Sequence, residues 1–205
     1  MYNIILDKLP NSYKGYLIRT DFRIGIQIYS CFNDKDLSEE EKLMISLKLL
    51  YGNGIPKNVN LAVEGIMWFL NLGEKNKVKS TSNSTPIMDF NIDSSRIFSG
   101  FKSKFGIDLN KIKMHWFEFR YLLMELKDCH MSDVIEIRQK EIDNNMPLKQ
   151  RIEYRKLKKM YAITDNSDDD INTQKEIINY LKSKRGALNA WIWWKHNYRY
   201  TYKYR

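Results

Sequence analysis

The residues of this chain that could do covalent or metal chemistry are few and far apart. Histidine occurs at His115, His130 and His196, and cysteine at Cys31 and Cys129. No His-x-x-x-His or Cys-x-x-Cys spacing brings ligands together along the chain. The adjacent pair Cys129-His130 raises the idea of a thiolate with an imidazole base. Neighbours in sequence leave a helix in different directions, however, and do not make a catalytic pair. A structural role is expected for both. Asp168-Asp169-Asp170 offers carboxylates, but the alternating oxygen ligands, turn glycine and closing glutamate of a calcium loop are missing. Negative charge at a helix start accounts for it better. Neither Gly-x-x-x-x-Gly-Lys nor Gly-x-Gly-x-x-Gly occurs, so no phosphate loop is expected. These observations predict a protein that is not an enzyme, with no metal site and no cofactor.

Contact chemistry concentrates at the C-terminal end instead. The stretch "NAWIWWKHNYRYTYKYR" holds Trp191, Trp193 and Trp194, four tyrosines, four fixed positive charges and no acid. Tyr198, Tyr200, Tyr202 and Tyr204 recur every second residue, which lines them up on one face of an extended strand. Trp191 and Trp194 share a helical face by their i, i+3 spacing. Such residues dock on a protein surface or on the chain's own core, and they also stack on single-stranded bases. The partner-binding set is therefore Trp191, Trp193, Trp194, Tyr198 and Tyr200. Just upstream, "RIEYRKLKKM" carries a basic face of Arg151, Arg155, Lys156, Lys158 and Lys159. A basic helix face is most often simply solvated, and less often a binding stripe.

Charge follows the same division. Residues 1–80 carry 11 Lys+Arg against 9 Asp+Glu, residues 81–150 carry 10 against 10, and residues 151–205 carry 13 against 6. A protein that wraps nucleic acid over its whole surface is basic throughout. Here the excess belongs to one end, so nucleic acid is the weaker alternative to a protein partner.

The elements that must hold these residues read as helices. "NIILDKLPNSYKGYLIRT" predicts a short hairpin with strands near 3–6 and 16–19. Thr20 or Asp21 caps "FRIGIQIYSCF", with Phe22, Ile26 and Tyr29 as its stripe. Ser38 and Glu41 form a capping box for the next helix. Leu43, Leu47 and Leu50 are its core face, and Gly52, Gly54 and Pro56 stop it. "NVNLAVEGIMWFLNLG" is apolar nearly all round at Leu61, Ile66, Met67, Phe69 and Leu70, the pattern of a central helix. Asp93 caps "SSRIFSGFKSKF", which ends at Gly106. "MHWFEFRYLLMEL" is strongly apolar, and "SDVIEIRQKEI" is short. Pro147 opens "PLKQRIEYRKLKKMYAI", whose apolar Leu148, Ile152, Leu157, Met160 and Tyr161 run against the basic face. A further helix reaches about Arg185.

The expected architecture is mainly α: a compact multi-helix domain with a short N-terminal β-hairpin and a C-terminal aromatic and basic extension. Residues 1–165 form the helical domain, with a mobile loop at about 74–86, and 166–205 form the last helix and the extension. No apolar run reaches the roughly 18–20 residues that cross a bilayer. The start lacks the features of a signal peptide, and the cysteines suit a reducing compartment.

At this level the sequence resembles the gp-fifteen family of bacteriophage proteins. The resemblance covers residues 3–165 and rests on "IRTDFRIGIQI", "DLSEEEKLMISLKLLYGNGIP", "AVEGIMWFLNLGEK", "DFNIDSSRIFSGFKSKFGIDLNKIKMHWFEFRYLLMEL" and "EIRQKEIDNNMPLKQRIEYRKLKKMYAI", in that order. It implies a product of a tail gene cluster beside the tape-measure gene, similar in position to the tail assembly chaperones of long-tailed phages. Those are helical, non-enzymatic proteins that coat the tape-measure protein while the tail tube polymerises. The implied partners are the tape-measure protein, possible tail-tube protein contact and self-association, with no membrane. The implied location is the host bacterial cytoplasm, outside the finished virion. No catalytic residue carries over, and the family pattern stops near residue 170.

Overall fold

The computed structural model describes residues 4–74 and 87–163. The stretch expected as a loop over 74–86 lies, from residue 75 onward, outside the described residues. So does the C-terminal segment 166–205. Chain contacts divide the protein into two units, Met1–Ile135 and Glu136–Arg205. The described residues form one two-stranded hairpin and seven helices. These are β1 (Ser12–Tyr13), β2 (Tyr16–Leu17), α1 (Phe22–Asn33), α2 (Glu39–Tyr51), α3 (Val59–Leu70), α4 (Ser94–Phe105), α5 (Trp116–Met124), α6 (His130–Gln139) and α7 (Leu148–Met160). The mainly α expectation with an N-terminal hairpin holds.

The hairpin lies later than its composition implied. Residues 4–7 turn instead of extending, and the strands pair through Ser12↔Leu17 and Tyr13↔Tyr16. Lys14 and Gly15 both take positive φ, 46° and 87°. That is the two-residue primed turn whose twist suits paired strands, and it fixes the pair to the residues directly flanking it. Ile18 N–H then donates to Asn11 O, and Arg19 N–H to Leu50 O, tying the hairpin exit to the end of α2.

In the first unit α1 packs on α2 and α5, α2 on α3, and α4 on α5. Asp21 caps α1 by accepting from Arg23 N–H at 3.0 Å. Arg23 in turn donates to the carbonyls of Leu109 (2.6 Å) and Ile112 (3.2 Å), pinning the loop before α5. The buried stripe of α1 is Phe22, Gly25, Ile28 and Cys31. Ile26 and Tyr29, expected inside, are half-buried. The rotation has a cause: the Trp116 ring of α5 lies directly on Gly25, where any Cβ would collide with it.

The box at Ser38 and Glu41 forms as its spacing requires. Ser38 N–H donates to Glu41 Oε2 at 2.9 Å, and Glu41 N–H to Ser38 Oγ at 3.3 Å. The Ser38 hydroxyl, donating to Glu41 Oε2 at 2.7 Å, and then the Ser38 N–H hold the Glu41 carboxyl below its ordinary range. Gly52 ends α2 at φ 61°. The α3 helix is one-sided, against expectation: Ala62, Gly65, Ile66, Phe69 and Leu70 are buried, while Val59 and Met67 face out. Gly65 makes room for the Tyr51 hydroxyl, which donates to Ala62 O at 3.2 Å, and for the Tyr13 ring. Burial pushes the Tyr51 phenol up to about 12. Asp93 precedes α4 but makes no side-chain cap. Its fully buried carboxylate instead accepts from Asp89 N–H at 3.0 Å and from Arg96 at 2.8 Å, because burial demands strong partners.

His115 caps α5. Its Nδ1 accepts from Phe117 N–H at 3.0 Å, and its Nε2 lies 3.0 Å from Pro10 O. The two partners together assign the proton to Nε2 in a neutral ring. Burial holds this imidazole below its ordinary value of 6.5.

Two outcomes follow. Gly25→Ala forces a methyl into the Trp116 ring and should cost about 1–3 kcal/mol, the usual range for overpacking, read from the urea midpoint at unchanged slope. A midpoint equal to that of the unaltered protein removes the contact from the account. For His115, the unfolded chain takes up the proton first as pH falls, so the native state loses stability on acidification. The loss begins near 6.5, the unshifted value, and continues to the lower native value. His115→Asn keeps a capping side chain without a titrating ring. Comparing the two proteins between about pH 7.5 and 5, where histidine titrates, should show a smaller decline in the variant. Equal declines would assign the pH dependence to other groups.

Candidate interaction surface

Cys31, Cys129 and His115 are each bonded to backbone or a neighbouring turn. Cys31 is buried and points its thiol at Lys42 O, 3.6 Å away. Cys129 N–H donates to Ser132 Oγ at 3.0 Å and Cys129 O accepts from the same hydroxyl at 2.7 Å, closing the turn into α6. His130 is the first residue of that helix. Among the described residues, no group of three or more His, Cys, Asp or Glu side chains converges to hold a metal.

The basic helix is where it was expected, as α7, but it is not cleanly two-sided. Lys156 and Lys159 are exposed, whereas Arg151, Arg155 and Lys158 are half-buried. Lys158 Nζ donates to Arg138 O at 2.9 Å, and Arg138 Nε donates to Tyr161 O at 2.6 Å. Lys140 sits 5.8 Å over the Tyr154 ring, and Arg151 donates to Asn144 Oδ1 at 3.1 Å. Part of the positive face is thus used to hold α7 against residues 138–144 of its own unit. Lys158 and Lys159 also lie in the last turn, where the helix dipole favours a cation. Pro147 stands at the cap position, one residue before the first turn. Trp191, Trp193, Trp194, Tyr198 and Tyr200 lie outside the described residues, so the structure places none of them beside the basic face.

Sequence periodicity missed the apolar residues that the first unit presents outward. Leu17 of β2, Met44 of α2 and Val59 of α3 are 72%, 61% and 58% exposed. Those three fall on separate elements, and apolar residues scattered singly over a surface are ordinary; the more exposed Ile5 and Leu6, at 88% and 80%, stand side by side before the hairpin. The signal that could have found Met44 was its position on the charged side of α2, between Glu40 and Lys48.

No helix among the described residues is long and apolar enough to cross a membrane. No curated protein and no solved structure matches the chain. A family model described as Bacteriophage Gp15 protein matches residues 5–163, most of the chain and nearly all of its described part. The helical body that carries these surfaces is the part so matched, and the chain belongs to the bacteriophage Gp15 protein family.

Proposed function

We propose that this phage protein is a tail assembly chaperone that binds the tape-measure protein during tail-tube polymerisation, without catalysis. The observation that carries the reading is the family match over the helical body, joined to a body in which His115, Asp93 and Cys129 are taken up by caps and turns. A chaperone for a long helical partner needs apolar contact surface and a place to grip, and no reacting centre. The aromatic end supplies the grip. Burying tryptophan is worth more than an exposed ion pair in water, so Trp191 and Trp194 are the anchors, with Trp193, Tyr198 and Tyr200 extending the contact. Tail-tube protein and further copies of the chain are secondary partners. The work takes place in the host cytoplasm, and the protein leaves before the virion is complete.

A second reading has its own observation. The exposed Lys156 and Lys159 on α7, followed by a basic aromatic segment, also suit single-stranded nucleic acid. The two readings separate by experiment. Co-expressed with the tape-measure protein of the same phage, the chain should form a nuclease-resistant stoichiometric complex. Trp191→Ala with Trp194→Ala should weaken that complex at least about tenfold, the effect of losing about 1.4 kcal/mol. If the double variant holds the tape-measure protein as tightly but loses salt-sensitive binding to oligonucleotide, the segment grips nucleic acid. Recovery of the chain from purified virions by mass spectrometry would make it a structural tail component.

A further inference from the structure

The connection from α2 to α3 carries the only Asn-Gly step of the sequence, Asn53-Gly54. Both residues are exposed. An asparagine followed by glycine can react with itself: the next backbone nitrogen attacks the side-chain amide carbon and ammonia leaves. Glycine permits the attack because its backbone turns freely and no side chain shields the nitrogen. Gly54 meets that condition, since a Cβ placed on it would approach only Tyr51 O, at 3.6 Å.

Two hydrogen bonds act on this step in opposite directions. Gly54 N–H donates to Tyr51 O at 3.1 Å, which occupies the attacking nitrogen. Lys48 Nζ donates to Asn53 Oδ1 at 2.7 Å, which draws electron density from the amide carbon. When the nitrogen adds, that oxygen becomes negative, so the ammonium stabilises the tetrahedral state more than the starting amide. The end of α2 sets this contact up. Lys48 lies in the last turn of the helix, and its carbonyl accepts from Gly52 N–H at 3.0 Å, turning the chain back over it. The Tyr51 bond belongs to a single turn beyond the helix end, and such bonds open locally without unfolding the body.

We propose that Asn53 is a self-modification site, converting to aspartate and isoaspartate through a succinimide with Gly54, and that Lys48 promotes the ring closure. The bond from Gly54 N to Asn53 Cγ forms as the nitrogen gives its proton to water. The Cγ–Nδ2 bond then breaks, and Nδ2 takes a proton from water and leaves as ammonia. Water opens the ring at either carbonyl, giving an aspartyl or an isoaspartyl residue. Nothing is oxidised or reduced; amide and water become carboxyl and ammonia. The imide nitrogen carries no hydrogen, so the bond to Tyr51 O is lost on the way. The isoaspartyl product lengthens the backbone between α2 and α3 by one carbon. The new carboxylate lies at the C-terminal end of α2, where the helix dipole disfavours it and Lys48 offsets the penalty. None of this depends on which partner the protein binds.

The test holds the full chain at mildly alkaline pH, natively and in urea, and follows each asparagine by peptide mass spectrometry and isoaspartyl labelling. The native chain should convert at Asn53 faster than at Asn11, which precedes Ser12, and no more than about threefold slower than the denatured chain. A slower native rate means that the Tyr51 bond closes the site, and overturns the proposal. Lys48→Gln should slow native conversion at least about threefold, less than the roughly hundredfold cost of removing a donor from a closed oxyanion hole, because water screens this one. Lys48→Arg, which keeps a cation and its donors, should stay within about twofold of the unaltered chain. An unchanged rate in Lys48→Gln, or an equal loss in urea, would detach the reaction from the folded contact and overturn the proposal. Should either variant fail to fold, the native and denatured rates of the unaltered chain decide the matter alone.

Discussion

The close approach of α1 and α5 at Gly25 and Trp116 sets the geometry of the first unit. A helix pair normally stands 8–10 Å apart because side chains separate the axes. With no Cβ at Gly25, the indole lies on the α1 backbone itself. From there the ring reaches four other aromatic side chains: Phe69 of α3, Phe119 of α5, and Tyr29 and Phe90, at centroid distances of 5.8–6.2 Å. Phe119 carries the stack on to Phe22 at 4.8 Å and Phe101 of α4 at 5.2 Å. Backbone bonds seal the same junction, Trp116 N–H to Thr20 O at 2.7 Å and Phe22 N–H to Met114 O at 2.9 Å. One glycine thus lets one ring organise elements that are far apart in sequence. The arrangement has a cost. Trp116 Nε1 is buried with no hydrogen-bond partner among the described residues, a loss of about 1–3 kcal/mol. The Arg120 guanidinium over the ring, 5.4 Å from its centroid, offsets part of it.

What was legible in the sequence was whatever a few neighbouring residues decide. The Ser38–Glu41 box, the stop at Gly52 and the left-handed Gly106 each depend on one turn of chain, and each formed as its residues require. The illegible parts were decided across the fold. Gly25 counted against a helix by propensity, yet it is the reason α1 turns the face it does. Met67 looked internal because α3 is apolar nearly all round, but among the described residues it faces out, 47% exposed. Asp93 sits where a cap belongs, but Arg96 and Asp89 claim its carboxylate. Local propensity is a weak prior wherever tertiary packing chooses between faces.

The candidate site was legible in kind more than in place. Composition alone separated the basic, aromatic end from a nearly neutral body. It did not show that Lys158 and Arg151 spend their charge on Arg138 O and Asn144, because those partners lie outside α7, at the end of α6 and in the loop that follows it. Nor did the spacing of His115 reveal that its two nitrogens join the N-terminal segment to the start of α5, across more than a hundred residues.

The most strongly buried of the shifted groups share a structural cause. An enzyme keeps some titratable groups poised, with a perturbed affinity for protons and a free face toward substrate. His115 has the perturbed affinity, but both nitrogens are committed to backbone atoms, so neither is left to move a proton. The Tyr51 hydroxyl is likewise shifted, and donates to Ala62 O at the floor of the α2–α3 contact. In both cases burial in the packing is the first cause of the shift. The perturbed groups therefore mark where helices are fastened together. In sequence, the chain concentrates its tryptophan, tyrosine and lysine at one end.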